Sequence, residues 1–197
     1  MIGAIGVASV FVAAVLILRV FGDRPILADD AWHAVIATHR SPILEVPSLV
    51  LDAIGGTLAS VLVALAAAII LLARRRPWAA AYIGVSFSVA AVLSSVIKQI
   101  GDRPRPSDII VSANSGSFPS GHVTYAAVLV VSFALLAART WPWIVGALWV
   151  TAMAFSRTYL AAHWLSDTVG GAVLGASVAL LVWPVARRAR GRITEMG

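Results

Sequence analysis

The chain contains no cysteine, a single lysine and few charged residues of either sign, 12% of its 197 residues in all. Without cysteine there is no disulfide framework, no thiolate metal site and no covalent thiol chemistry. The shortage of charge argues against a soluble core. Hydrophobic residues make up 60% of the chain, and the mean hydropathy is +0.92. Several apolar stretches are long enough to cross a hydrocarbon layer of about 30 Å at about 1.5 Å rise per helical residue. The formal net charge of +6 would suit a polyanion. However, the arginines gather at Arg74 to Arg76 and at Arg187, Arg188, Arg190 and Arg192, beside apolar runs. There they read as topology anchors toward cytoplasm and anionic lipid, so nucleic-acid binding is not expected. The first apolar stretch lacks a positive leader and a convincing cleavage site, and is expected to be retained rather than removed as a signal peptide.

These features predict an all-α, polytopic membrane protein in which residues 1–197 form a single membrane-embedded domain. Six spans are expected: Ile2 to Phe21, Ile54 to Ala73, Trp78 to Ile100, Gly121 to Ala138, Trp141 to Tyr159 and Ser166 to Ala186. The triple arginine, Arg139 and the basic tail then share one side, which the positive-inside rule makes cytoplasmic together with both termini. The stretches Lys98–Pro119 and Arg157–Asp167 fall on the outer side of a plasma membrane. Arg19, Arg24 and Arg40 disagree with this orientation but are scattered among acidic residues. In the first outer segment, Asp29 to His39 begins with acidic residues and places Trp32 and Ile36 four apart, as in an interfacial helix. Pro42 and Pro47 are expected to interrupt it before the next span. Trp78, Trp141, Trp143 and Trp183 sit near one set of span ends, Trp32 and Trp164 near the other, as interfacial belts do.

What little polarity exists is concentrated in three clusters: KQIGDRPRP from Lys98, PSGH from Pro119, and SRTYLAAHWLSD from Ser156. Their contents suit a tetrahedral phosphate, whose charge localises on its equatorial oxygens as the leaving group departs. Arg105 and Arg157 each offer a planar fork to two oxygens, and Lys98, the lone lysine, a compact point charge. Pro119-Ser120-Gly121 opens a helix, where free amides and the positive dipole end favour an anion. Ser120 adds a hydroxyl, and Gly121 permits close backbone approach. His163 and Asp167 lie four apart, so in a helical stretch the carboxylate can hold one ring nitrogen protonated and leave the other free to attack phosphorus. His122 is placed to protonate the departing oxygen and then to activate water.

Taken singly, each feature has a plain explanation. Arginines at span ends are commonly anchors, Ser-Gly at a helix start is commonly a cap, and a His/Asp pair at i,i+4 is commonly a satisfied polar pair. Independent anchors and caps have no reason to converge on one membrane face with complementary phosphate chemistry. His33 and His39, six apart, fall on different helix faces and are not expected to bind metal. Asp102 and Arg103 receive no role, and Gly171 and Gly175 read as packing positions in the sixth span.

The three clusters resemble the type 2 phosphatidic acid phosphatase superfamily, the membrane lipid phosphate phosphatases related to glucose-6-phosphatase and the vanadium haloperoxidases. That family's motifs are a lysine separated by six residues from Arg-Pro, then Pro-Ser-Gly-His, then Ser-Arg with five residues before a histidine and three more before an aspartate. All three occur here in order, as Lys98 with Arg105-Pro106, Pro119 to His122, and Ser156-Arg157 with His163 and Asp167. The resemblance implies a helical core with its site at the outer leaflet. It further implies that His163 forms a phosphohistidine, Asp167 orients it, His122 protonates the leaving group, and Lys98, Arg105, Ser120, Gly121 and Arg157 bind phosphate. It implies no cofactor and no metal. The expected partners are the bilayer and a lipid phosphate or diphosphate, with no obligatory protein partner evident. Family analogy favours a polyprenyl diphosphate over phosphatidylglycerol phosphate or phosphatidic acid. Phosphotransfer to an alcohol would need the same residues, whereas a transporter would more often place its charges near the midplane on broken helices. Phosphate release is accordingly expected to persist in excess chelator, measured as free phosphate from detergent-solubilised protein; loss on chelation would demand metal chemistry.

Overall fold

The computed structural model describes residues 1–21, 24–113 and 116–195, and no strand occurs among them. The helices are α1 (Ile2–Leu16), continued by a π-helical turn over Ile17–Phe21, α2 (Leu27–Thr38), α3 (Pro42–Gly55), α4 (Thr57–Ala73), α5 (Pro77–Gly101), α6 (Gly121–Ala137), α7 (Trp141–Tyr159) and α8 (Leu165–Glu195). Helices α3, α5 and α7 each carry a proline in their first turn, where the missing N–H has no partner to lose. Helix α5 stops at Asp102, whose left-handed backbone (φ +36°) lets its N–H close on the Lys98 carbonyl at 2.8 Å.

α8 is the hub, packing against α6, α1 and α5, while α7 covers α6, α4 lies on α5, and α3 lies on α7. Tyr82, Ile83, Ile97, Val128, Leu174 and Val178 form the shared core, and the Tyr82 hydroxyl donates to the Ala179 carbonyl at 3.0 Å. A smaller cluster of Val123, Ala126 and Met153 joins α6 to α7. Large apolar side chains such as Leu58, Leu62, Ile69 and Leu148 point outward, the pattern of a surface solvated by lipid rather than water.

Five of the six expected spans fall on α1, α5, α6, α7 and α8 nearly as read from sequence. Two of them, α5 and α8 over Leu165–Gly191, are by themselves long and apolar enough to cross a membrane. A third crossing is possible for the pair α3 and α4, which is bent by 52°, whereas α1 and α6 are shorter apolar helices. The second expected span, from Ile54, begins instead at Thr57 because Gly55–Gly56 breaks the helix, with Gly56 in an extended conformation. A helix is present in the first outer segment, as α2. The expected interruption falls at Pro42, with α2 ending at Thr38, whereas Pro47 does not interrupt the chain. Pro42 opens α3, and Pro47 sits inside it, in the second turn, where a proline removes one i→i−4 hydrogen bond. The last helix runs on past Ala186 through the arginine tail, a sequence of good helix formers.

The two ends of the bundle differ. At one end Trp78 and Trp183 meet, with the Arg76 and Arg190 guanidinium groups 5.3 and 5.4 Å from the Trp78 ring centroid. The opposite ends of α5, α6 and α7 carry the three polar clusters. Gly171 and Gly175 are packing positions, as expected: a Cβ on Gly171 would lie 2.6 Å from the Ser120 carbonyl oxygen and 3.1 Å from Thr124 Oγ1, and one on Gly175 would strike the Thr124 carbonyl. Gly171→Val should therefore destabilise the protein by about 1–3 kcal/mol, read as a lowered Tm in detergent. Gly84→Ala, with nothing within 4 Å of its Cβ, should raise stability by about 0.5–1 kcal/mol.

Candidate active site

Each cluster is delivered by a helix end. Lys98 occupies the last turn of α5. The reversal at Asp102 then sends the chain through Arg103-Pro104-Arg105-Pro106, where prolines hold the backbone extended on either side of Arg105. The Ser117 N–H donates to the Arg103 carbonyl at 2.8 Å and turns this loop back on itself. α6 starts at Gly121, and the Ser120 N–H donates to the Asp167 carbonyl at 2.9 Å, tying that start to α8. At the end of α7 the chain reverses through Ala161 (φ +51°). The N–H groups of Ala162 and His163 then both donate to the Arg157 carbonyl, at 3.1 and 3.2 Å.

The result is a cavity of about 310 Å3 walled by Lys98, Arg105, Gly121, His122, Arg157 and His163. A larger groove, of about 620 Å3 between α1 and α8, is almost wholly apolar and holds none of these groups. Lys98 Nζ donates to the Gly116 carbonyl at 2.8 Å. Arg105 donates through Nη1 to the Ala162 carbonyl and through Nη2 to the Gly116 carbonyl at 3.3 Å, and its Nη1 lies 3.2 Å from His163 Nε2. Ser120 stands behind Gly121, completely buried and outside the cavity wall, its hydroxyl without a hydrogen-bond partner.

The two histidines are held in opposite senses. A guanidinium can only donate, so His163 Nε2 must offer its lone pair to Arg105, which places the ring proton on Nδ1. Nδ1 faces Asp167 Oδ2 at 3.5 Å, an ion-pair distance too long for a formed hydrogen bond. His122 Nε2 faces acceptors, the Asp52 carbonyl at 3.1 Å and Asp52 Oδ1 at 3.2 Å, so it carries the proton. The same Asp52 Oδ1 accepts from Arg157 Nη1.

Three partners were not assigned from the sequence. Asp52 on α3 was visible only as one of five acidic residues in the outer segment. Asp29 on α2 looked like a helix-start acid, and Arg103 like a passenger between Lys98 and Arg105. In the structure Arg103 is buried, with Nη1 2.5 Å from Asp167 Oδ1 and Nη2 2.7 Å from Asp29 Oδ2. The position of Arg103 two residues before a motif arginine was the one available signal.

Residues 79–190 match the profile of the PAP2 superfamily. That is more than half of the chain. The chain belongs to the PAP2 superfamily. A decaprenylphosphoryl-5-phosphoribose phosphatase of Mycobacterium tuberculosis is 32% identical over 173 residues, 81% of this chain and 94% of that protein. An undecaprenyl-diphosphatase of Sulfolobus acidocaldarius is 30% identical over 104 residues, 49% of this chain and 50% of that protein, so the chain is matched to only half of that relative's length. In three dimensions a crystal structure of a transmembrane PAP2 type phosphatidylglycerolphosphate phosphatase from Bacillus subtilis superposes with a TM-score of 0.81 at 22% identity, covering 95% of this chain and 98% of the other. The PAP2 motifs therefore stand on a PAP2 membrane fold.

His163 lies in the turn between α7 and α8, outside the spans. Burial first, then the nearby cations of Arg105, Lys98 and Arg157, press its pKa well below the usual histidine value of 6.5. The folded protein thus keeps this ring neutral where the unfolded chain takes up a proton. This contribution to stability is complete above about pH 6.5 and is lost as the pH falls below it. Thermal unfolding in detergent should therefore show Tm declining below about pH 6.5, and less steeply in His163→Asn.

Proposed function

We propose that this PAP2-family phosphatase acts on a lipid phosphate through His163 as nucleophile and His122 as acid. The observation that carries the reading is the opposed surroundings of two rings that wall one cavity: Nε2 of His163 meets a donor, Arg105, while Nε2 of His122 meets the acceptor oxygens of Asp52. Lys98, Arg105 and Arg157 hold the phosphoryl oxygens, with the amides at the start of α6 near Gly121 assisting. Ser120 serves that turn from behind through its backbone N–H, which donates to the Asp167 carbonyl. Phosphate entry exchanges the Asp52 carboxylate on Arg157 for a substrate oxygen.

The His163 Nε2 lone pair then forms the nitrogen–phosphorus bond as the bond from phosphorus to the leaving oxygen breaks, and His122, entering the step as an imidazolium, gives that oxygen its proton. Asp167 stabilises the positive charge that the imidazole acquires. In the second half His122, now neutral, takes a proton from water as its oxygen attacks phosphorus, and His163 is released.

A site at the mouth of an apolar bundle suits a substrate with a polar phosphate and a hydrocarbon tail. The preferred reading is a polyprenyl diphosphate, hydrolysed at the outer face of a plasma membrane. The separation of the cavity from the Arg74–Arg76 turn and the arginine tail supports that orientation, with both termini cytoplasmic. A second reading, a phosphomonoester carried on a polyprenyl-linked sugar, is favoured by the Mycobacterium tuberculosis relative, a decaprenylphosphoryl-5-phosphoribose phosphatase whose length is nearly all matched.

His163→Ala should abolish phosphate release from polyprenyl diphosphate in detergent. Lys98→Ala and Arg157→Ala should each lower kcat by roughly 10²–10³-fold, since a lost transition-state donor costs about 2.7–4 kcal/mol. Retained turnover in His163→Ala overturns the nucleophile. The same assay run across polyprenyl diphosphate, polyprenyl-linked sugar phosphate, phosphatidylglycerol phosphate and phosphatidic acid decides between the two substrate readings.

A further inference from the structure

The PAP2 motifs account for one carboxylate beside His163, yet the structure places two in the same buried network. Asp29, from the first turn of α2, is 1% exposed, Arg103 is 2% exposed and Asp167 is fully buried. Asp29 Oδ2 accepts from Arg103 Nη2 at 2.7 Å and from the Ser166 hydroxyl at 2.8 Å, and Oδ1 accepts from the Ser166 N–H at 2.8 Å. Arg103 Nη1 in turn donates to Ser166 Oγ at 2.8 Å and to Asp167 Oδ1 at 2.5 Å. The remaining oxygen, Asp167 Oδ2, accepts the Trp164 N–H at 2.8 Å and faces the His163 ring.

Neither a helix-start preference nor stability explains this arrangement. Asp30, the next residue of the same helix turn, is exposed, so the dipole of α2 is served without burying Asp29. Buried ion pairs are on balance neutral or costly relative to apolar packing. The charges do explain it. Arg103 paired with Asp167 alone would leave no net charge beside the imidazole. Two carboxylates sharing one guanidinium leave one negative charge, and the hydrogen bonds to Ser166 fix the backbone of the residue that precedes Asp167.

We propose that Asp29, outside the three PAP2 motifs, is a positioning residue of the phosphatase: acting through Arg103 and Ser166, it orients Asp167 and preserves its negative charge toward His163. The inference rests on the phosphohistidine reading above. It makes α2 part of the catalytic apparatus, because α2 supplies the carboxylate that pairs with Arg103 behind Asp167. Asp29 touches neither the phosphate cations nor the cavity wall, so its contribution belongs to the chemical step rather than to binding.

The test compares Asp29→Asn, Asp29→Glu and His163→Ala with the wild type in detergent, on polyprenyl diphosphate, with rates expressed per orthovanadate-binding site so that inactive protein does not count. Asp29→Asn is expected to lose roughly 10–100-fold in kcat with KM little changed, the range for a removed outer partner of an active-site group. The acid limb of its kcat/KM profile should move to lower pH. The groups facing the His163 ring are Lys98 from α5, Arg105 from the loop, His122 from α6, Arg157 from α7 and Asp167 from α8, and weakening the one anion leaves the cations less opposed. Asp29→Glu keeps the charge and should recover most of the rate with the limb in its wild-type place.

Wild-type kcat in Asp29→Asn, or a lost rate with an unmoved acid limb, overturns the proposal. If Asp29→Asn yields no vanadate-binding protein, Arg103→Lys takes its place, since an ammonium cannot span both carboxylates as the guanidinium fork does. Reduced kcat at unchanged KM is then expected, and wild-type kcat overturns the proposal. An active His163→Ala would instead remove the reading on which the inference stands, whereas an inactive His163→Ala beside a fully active Asp29→Asn removes the inference alone.

Discussion

Three cations, Lys98, Arg105 and Arg157, are forced together at one end of an apolar bundle, and the rest of the site answers the cost of holding them there. Like charges in a medium of low dielectric repel strongly, and each must be satisfied locally if it is to stay charged. Backbone carbonyls do part of this. The Gly116 carbonyl accepts from both Lys98 and Arg105, the Ala162 carbonyl accepts from Arg105, and Asp52 takes Arg157. Carbonyls carry only partial charges, so the cradle remains electropositive and suited to a phosphate group. The cradle also pushes the neighbouring imidazole toward its neutral form, the state in which a histidine can attack.

That pressure creates a second requirement on the far side of the ring. In the proposed mechanism His163 becomes cationic among cations when it bonds to phosphorus, and an anion must stand behind it. Asp167 fills this place, but a carboxylate this deeply buried is itself unstable unless hydrogen-bonded. Arg103 and the Trp164 N–H satisfy it, and the cation so introduced is offset by Asp29. The arrangement alternates in sign from the cradle, through the ring, to Asp167, Arg103 and Asp29. His122 repeats the pattern on a smaller scale, with Asp52 holding its proton. Polarity at the mouth of this bundle is therefore one connected network, and α8, the packing hub, carries its central carboxylate.

Much of this was legible in the sequence because local chemistry and helical periodicity are local properties. The apolar runs marked α1, α5, α6, α7 and α8, and the motif spacings named every group of the cradle. His163, Arg105, Arg157 and Lys98 meet because three helices end on the same side, which charge patterning between spans indicated. What could not be read were partners separated by long stretches of chain. Asp29 lies 74 residues from Arg103, and Asp52 lies 105 residues from Arg157. Neither pairing leaves a trace in spacing, since each depends on how α2 and α3 fold over the bundle. The Gly55–Gly56 break, which sets that path, was hidden inside an apolar run that looked continuous.

The location of those two carboxylates bears on how the family's chemistry is divided along the chain. The region that matches the PAP2 profile begins at residue 79, so it contains every residue of the three motifs but neither Asp29 nor Asp52. The motif region supplies the cations, the imidazoles and the carboxylate of Asp167, and the segment before it adds two further carboxylates. Asp52 of α3 pairs with Arg157 of the cradle, and Asp29 of α2 pairs with Arg103 behind it. The helix that carries Asp29 thus joins the centre of the site from outside the matched region, through Arg103 and Ser166.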